Sequence, residues 1–190
     1  MYDKHILDKT FEGANFSENK LEKGEYDNCT FLNCNFSASD LSNTVFIECN
    51  FEYCDLSMAK ITNTAFRSVN FENCKMMGLK FHNCDKFLLS FSFTTCQLNF
   101  SSFYQLKLKN TRFTTSKLHD TDFTETDLSN SVFSGCDLTN AIFDNTNLEK
   151  VDFKTSFNYT INPETNLLKK TRFSLPEVTG LLRKYDIEIN

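Results

Sequence analysis

Eight cysteines, three histidines and a run of carboxylates in the last third of the sequence are the side chains that could do chemistry. Cysteines could close disulfides or hold zinc, histidines could ligate a metal or relay protons, and a pair such as Asp120 and Asp122 could act as acid and base. The spacing argues against each. No C-x-x-C occurs; Cys29 and Cys34, like Cys49 and Cys54, stand five residues apart. His5, His82 and His119 are scattered along the chain. There is no glycine-rich phosphate loop and no insertion that would wall a cleft around the carboxylates. The sequence therefore predicts no catalytic residue, no metal site and no cofactor. It predicts instead that the cysteines are buried and act as small apolar residues in a reducing cytoplasm.

The carboxylates carry more information as charge. Residues 119 to 152 hold Asp120, Asp122, Glu125, Asp127, Asp137, Asp144, Glu149 and Asp152 against the single base Lys150, a net charge of -7, where the whole chain carries -5. An acidic surface of this kind could stand in for a nucleic acid before a basic partner. The same Asp residues also suit the corners of a regular coil, where a short polar side chain bonds the backbone. Both readings remain open at this stage. The negative balance disfavours direct binding of nucleic acid. No apolar run approaches the roughly 18 residues of a membrane span. The start, with Asp3, Lys4, His5, Asp8 and Lys9, does not read as a signal peptide. A soluble, cytoplasmic protein is expected.

The elements that must carry these residues follow from a repeat. The chain has 190 residues, with 21 Phe, no Trp, 5 Gly and 2 Pro. Every fifth residue from Phe11 to Phe81 is large and apolar, and the rhythm breaks by two residues across Asp85-Lys86-Phe87. Taken up again at Leu88, it runs as Leu or Phe to Phe153. Two residues before these centres usually stands a small residue, and the cysteines fall in that slot, Cys84 before Lys86 where the rhythm breaks. A period of five fits neither a helix nor a strand. It fits a chain that turns a corner every five residues, four sides to a coil. Phe11, Phe31, Phe51 and Phe71, and after the break Phe93, Phe113, Phe133 and Phe153, then share one face, with Phe173 one step further. Stacked at the strand spacing, such coils make a solenoid of about eight turns, roughly 40 Å long. Ser156 to Lys170 is expected to be a last, distorted coil, with Tyr159, Ile161 and Leu168 supplying apolar contacts. Val45, Ile47, Phe87, Leu89 and Phe100 are expected to point outward, where an apolar patch can be a contact site.

This pattern resembles the pentapeptide repeat family, written A-(D/N)-L-x-x. Close matches are Cys34-Asn35-Phe36, Cys54-Asp55-Leu56, Thr126-Asp127-Leu128, Cys136-Asp137-Leu138 and Thr146-Asn147-Leu148, within a resemblance that spans residues 6 to 155. It implies an all-β fold, a right-handed quadrilateral parallel β-helix, over residues 1–173 with the frame slip near 85–89. Residues 174–190 then read as a separate end piece. Ser174 and Glu177 fit a helix start, Val178, Leu181, Leu182 and Tyr185 follow at helical spacing, and Asp186 to Ile189 alternates like a short strand. A repeat body closed by such a module resembles the quinolone-resistance (Qnr) subgroup. That likeness implies a homodimer through the C-terminal module, with Val178, Leu181, Leu182, Tyr185, Ile187 and Ile189 at the interface. It further implies a rod that mimics duplex DNA, binds a type II topoisomerase (DNA gyrase or topoisomerase IV) through the acidic coils, and reduces quinolone action. The expected partners are a topoisomerase and a second copy of the chain, with neither nucleic acid nor membrane bound directly. The alternative is a scaffold for an unrelated protein, bound through a face or the apolar patch.

Overall fold

The computed structural model describes residues 4–188. Its strands are short: β1 (His5–Leu7), β2 (Thr10–Glu12), β3 (Glu25–Asp27), β4 (Thr30–Leu32), β5 (Val45–Ile47), β6 (Asn50–Glu52), β7 (Ala65–Arg67), β8 (Val69–Glu72), β9 (Phe91–Thr94), β10 (Arg112–Thr114) and β11 (Val132–Ser134). They form two parallel sheets. One, in the order β1-β3-β5-β7, lines a face we call A; the other, β11-β10-β9-β8-β6-β4-β2, lines the next face, B. Faces C and D are held by single parallel bridges, such as Asp55 with Lys75 on C and Ser102 with Asp122 on D. The chain is thus a four-sided parallel β-solenoid. Phe31 pairs with Phe51 at a separation of twenty, whereas Phe71 pairs with Phe93 across the break.

Why five residues make one side is visible in the backbone. The second residue after each inward centre turns the corner in the left-handed region: Asn28 at φ 48°, Asn33 at 53°, Asn43 at 58°, Asn63 at 55° and so on along the chain. Asn tolerates this region because its short side chain bonds locally, and it is the commonest residue there. Within each side the centre points inward. On face B nine phenylalanines, Phe11 to Phe173, stack ring on ring with centroids 4.6 to 5.6 Å apart. A second ladder, Phe81, Phe103, Phe123 and Phe143, stacks on face D at 4.5 to 5.2 Å. The two ladders meet edge to face, as Phe113 meets Phe123 at 5.9 Å.

The small slot does more than leave room. Its side chain donates to the carbonyl of the inward centre one coil back: Thr126 Oγ1 to Phe103 O at 2.9 Å, Ser131 Oγ to Leu108 O at 2.8 Å, Cys136 Sγ to Phe113 O at 3.3 Å. Cys29, Cys34, Cys49, Cys54, Cys74 and Cys96 make the same bond. The cysteines are buried and free, as expected, but all except Cys84 serve as donors, interchangeable in place with Ser and Thr.

Three expectations need correction. The rhythm does not resume at Leu88. Leu88 is a corner residue at φ 54° and is 66% exposed, so the original frame runs on to it. That frame puts Lys86 at an inward centre, where a charge cannot be buried unpaired, and Lys86 is exposed. The two extra residues are Leu89 and Ser90, and Leu89, expected outside, packs against the core. Val45, also expected outside, is buried; it pairs with the small Ala65 on face A.

The third correction concerns the end piece. Tyr159 and Ile161 are buried and the last coil is present, with Asp152 bridging Arg172. Beyond it the chain makes two 3-10 turns, Val178–Leu181 and Arg183–Tyr185, and no α-helix. Glu177 does not return to Ser174 in a capping box; its Oε2 accepts from the N–H of Asn158 at 3.2 Å. Residues 186–188 form no strand, and Ile189 lies outside the described residues. The physical reason is Gly180. Its carbonyl accepts from Ile161 N at 3.1 Å, and a Cβ there would meet Tyr159 O at 2.2 Å, so the segment is pulled flat onto the open coil. Thr179 and Gly180 are poor helix formers, and so short a helix has no propensity to resist that pull.

The donor role of the small slot is testable. Thr126→Val keeps the shape and removes the hydroxyl that Phe103 O accepts, so stability in urea should fall by about 1 kcal/mol; an unchanged unfolding midpoint would show that shape alone matters.

Candidate functional site

The eight carboxylates of residues 119–152 divide into two kinds. Asp122, Asp127, Asp137 and Asp152 stand just before an inward centre, and each accepts from the N–H two residues on: Thr124 at 2.9 Å, Ser129 at 3.1 Å, Thr139 at 3.2 Å and Lys154 at 3.0 Å. Asn35, Asp40 and Asp55 do the same far from the acidic coils. These aspartates therefore belong to the geometry of the coil. Two are also paired with a cation, Asp127 with Lys109 at 3.3 Å and Asp152 with Arg172 at 2.9 Å, and Asp137 lies 2.7 Å from His119 Nε2.

The others serve no such purpose. Asp120 and Glu125 are corner residues at φ 53° and 55°, at the two edges of face D, and Asp144 lies on face D one coil further. The N–H of Glu125 donates to Asp144 O at 2.8 Å, which sets these two acids side by side. Glu125 and Asp144 are exposed; among the described residues their carboxylates accept only from the amides of Gln105 at 2.7 Å and Asn145 at 3.2 Å. With Asp122 between the edges, face D gathers Asp120, Asp122, Glu125 and Asp144 into one acidic patch. The remaining four are spread elsewhere: Asp127 and Glu149 on face A, Asp137 on C and Asp152 on B. The sequence run is thus narrower in space than in the chain.

The pKa shifts follow this division. Partial burial alone would push Asp137 up, but hydrogen bonds from Thr139, Asn158 and His119 outweigh it and hold the carboxyl at about 2. Burial opposes Asp127 in the same way, and Ser129 and Lys109 carry it below the ordinary value. Burial pushes Cys49 up to about 12 and Cys136 up to about 11, so these thiols stay protonated at neutral pH and make poor nucleophiles. Among the described residues no group of three or more His, Cys, Asp or Glu is placed to hold a metal ion. No helix among them is long and apolar enough to cross a membrane.

Two apolar surfaces accompany the acidic patch. At the C-terminal end Leu175, Tyr185 and Ile187 are exposed, while Val178, Leu181 and Leu182 are half-buried and Leu181 packs against the core. The expected interface residues are therefore near one another but not equally free. On the two edges of face C, Tyr53, Met58 and Phe100 are exposed at left-handed corners, with φ of 54°, 58° and 61°. Phe100 and Phe87 were expected outside; Tyr53 and Met58 were missed. The signal was available, because both occupy the corner position, where Asn is the commonest residue and a large apolar one is out of place.

The family model for the pentapeptide repeat region matches residues 19–86 and 76–157. Among solved structures, a trypsin-treated form of QnrB1, a plasmid-mediated fluoroquinolone resistance protein, aligns with a TM-score of 0.63 at 19% identity, over 98% of this chain and 100% of that one. Full-length QnrB1 aligns with a TM-score of 0.57 at 20% identity, over 97% and 100%. At these identities the likeness speaks for the fold. No curated protein sequence matches.

The Asp137 site makes a prediction. Its native pKa is depressed, so its contribution is whole above the unfolded value of about 3.9 and is lost as pH falls through about 2. Asp137→Asn should be less stable than the wild type at pH 7 and lose less stability between pH about 4 and about 2. Parallel stability curves in that window would contradict the assignment.

Proposed function

This chain belongs to the pentapeptide repeat family, and from that premise we propose that it is a non-enzymatic, homodimeric mimic of duplex DNA. In the cytoplasm it binds a type II topoisomerase, DNA gyrase or topoisomerase IV, and reduces the action of quinolones. The observation that carries this reading is the acidic patch on face D, built from Asp120, Glu125 and Asp144, which the coil does not need, beside Asp122, which it does. Duplex DNA offers its partners a regular rod with a negative charge every 1.7 Å or so of axis. A stiff solenoid with a periodic rise and free carboxylates on one side offers a basic groove the same sign of charge without a phosphodiester bond to cleave. The patch lies in coils close to the C-terminal end. Joining two copies there, through Leu175, Tyr185 and Ile187, would bring both patches toward the middle of a longer rod. The fluoroquinolone resistance attached to QnrB1, which shares the fold, supports this direction.

A second reading has its own observation. Tyr53, Met58 and Phe100 hold strained corners that Asn or Gly would occupy at about 1–2 kcal/mol less cost. A scaffold that grips an unrelated protein through face C would account for them.

Two measurements test the proposal. Glu125→Lys with Asp144→Lys alters neither a coil-bonded aspartate nor the core, so the protein should fold as before. Its effect on gyrase supercoiling should weaken by about tenfold or more, and the wild-type effect should fade as salt is raised. A double variant equal to the wild type would remove the electrostatic mechanism and leave face C as the better candidate. Leu175→Asp with Ile187→Asp should give a folded monomer by light scattering; a persisting dimer would place the interface elsewhere.

A further inference from the structure

The break in the repeat leaves a hole in the wall. On faces B, C and D the coil before the break is tied to the coil after it, through Phe71 with Phe93, Lys75 with Gln97 and Lys80 with Ser102. On face A the corresponding link, Asp85 with Lys107, is missing. Among the described residues no hydrogen bond joins residues 84–89 to residues 105–109. One coil later the ladder is whole, with Lys107 bridging Asp127 and the N–H of Asp127 bonded to Leu106 O at 2.9 Å. The N–H of Lys107 has no such partner among the described residues.

The cause is Lys86. Because it cannot fill its inward place, the core is closed from three other directions. Leu89 turns in, Phe91 occupies a small slot and packs on Phe81 and Phe93 at 5.3 and 5.0 Å, and Leu106 occupies another. The closure is incomplete. A cavity of about 370 Å3 remains, open to the surface and lined by Lys86, Leu89, Gln105, Leu106 and Lys107. That is within the range of about 300–1,000 Å3 typical of small-molecule sites. Its floor is aliphatic, and its rim carries two lysines that make no ion pair among the described residues. The nearest acids are engaged: Asp85 lies 3.8 Å from Arg67, Asp127 pairs with Lys109, and Glu125 accepts from Gln105.

We propose that this cavity binds a small organic monocarboxylate, its apolar body against Leu89 and Leu106 and its carboxylate between Lys86 and Lys107. Two ammonium groups and an unpaired backbone N–H suit one carboxylate. The aliphatic floor selects against inorganic anions, which have nothing to place there. The site needs no topoisomerase, and it meets the acidic patch only where Gln105, on its rim, bonds Glu125.

Isothermal titration of the full chain with octanoate, kept below its micelle concentration, is the direct test. One saturable site per chain is expected. Acetate, which lacks the body, and 1-octanol, which lacks the charge, should each bind at least about tenfold more weakly. Lys86→Gln with Lys107→Gln should abolish octanoate binding and leave the thermal melt unchanged, because both side chains are exposed. Backbone amide shifts should cluster at residues 84–91 and 104–109. Octanoate that never saturates, a double variant that binds like the wild type, or shifts confined to the C-terminal turns would each overturn the site.

Discussion

A phenyl ring lying on a phenyl ring one coil away is the contact on which this protein depends. Nine rings in one column and four in another set the spacing between coils, and backbone pairing follows at the same distance. The contact is local in space but twenty residues apart in sequence, so the chain must come round in one fixed number of steps. This is why the corner is so strictly placed and why residues as unsuited as Tyr53, Met58 and Phe100 are held with positive φ. Stacking rewards the register, and the register imposes the backbone.

The small slot ties that column to the wall. At many centres a Thr, Ser or Cys donates to the carbonyl one coil back, so that buried polar group finds its partner within the repeat itself, although Ser39 and Thr44 in the same slot have none. The arrangement resolves an apparent conflict in the composition. Eight buried thiols look like latent chemistry, yet burial raises the thiols of Cys49 and Cys136 and keeps them protonated. They belong to the framework.

Function then falls to what the framework does not use. Coil geometry consumes Asp122, Asp127, Asp137 and Asp152 through their bonds to the backbone, and leaves Asp120, Glu125 and Asp144 as surface charge on face D. The core consumes Leu89 and leaves Lys86 outside, over a cavity where one ladder rung is missing. In both places the informative residues are those that depart from the repeat. A regular solenoid offers a partner little to recognise beyond its shape, and each departure adds a feature to the surface.

The four-sided solenoid was legible in the chain because its period is short and its inward residues are nearly all Phe or Leu; Phe113 and Leu128 identify their own places. Asp137 before Leu138 was legible as a coil residue, and the buried cysteines as small inward side chains. Three matters were decided only by tertiary structure. Whether an acid is free or bonded depends on neighbours a whole coil away in sequence, as with Asp137, His119 and Asn158. Whether Leu88 or Leu89 turns inward depends on how the wall closes over an unburiable Lys86, and the two leucines are alike in sequence. Whether Val178 to Tyr185 coils as a helix depends on Gly180 lying flat against Tyr159, a contact that outweighs the weak propensity of eight residues. Five-residue periodicity specifies the interior because every coil repeats the same contacts. The break and the open end have no repeating neighbour to specify them, and there the packing of the folded chain decides.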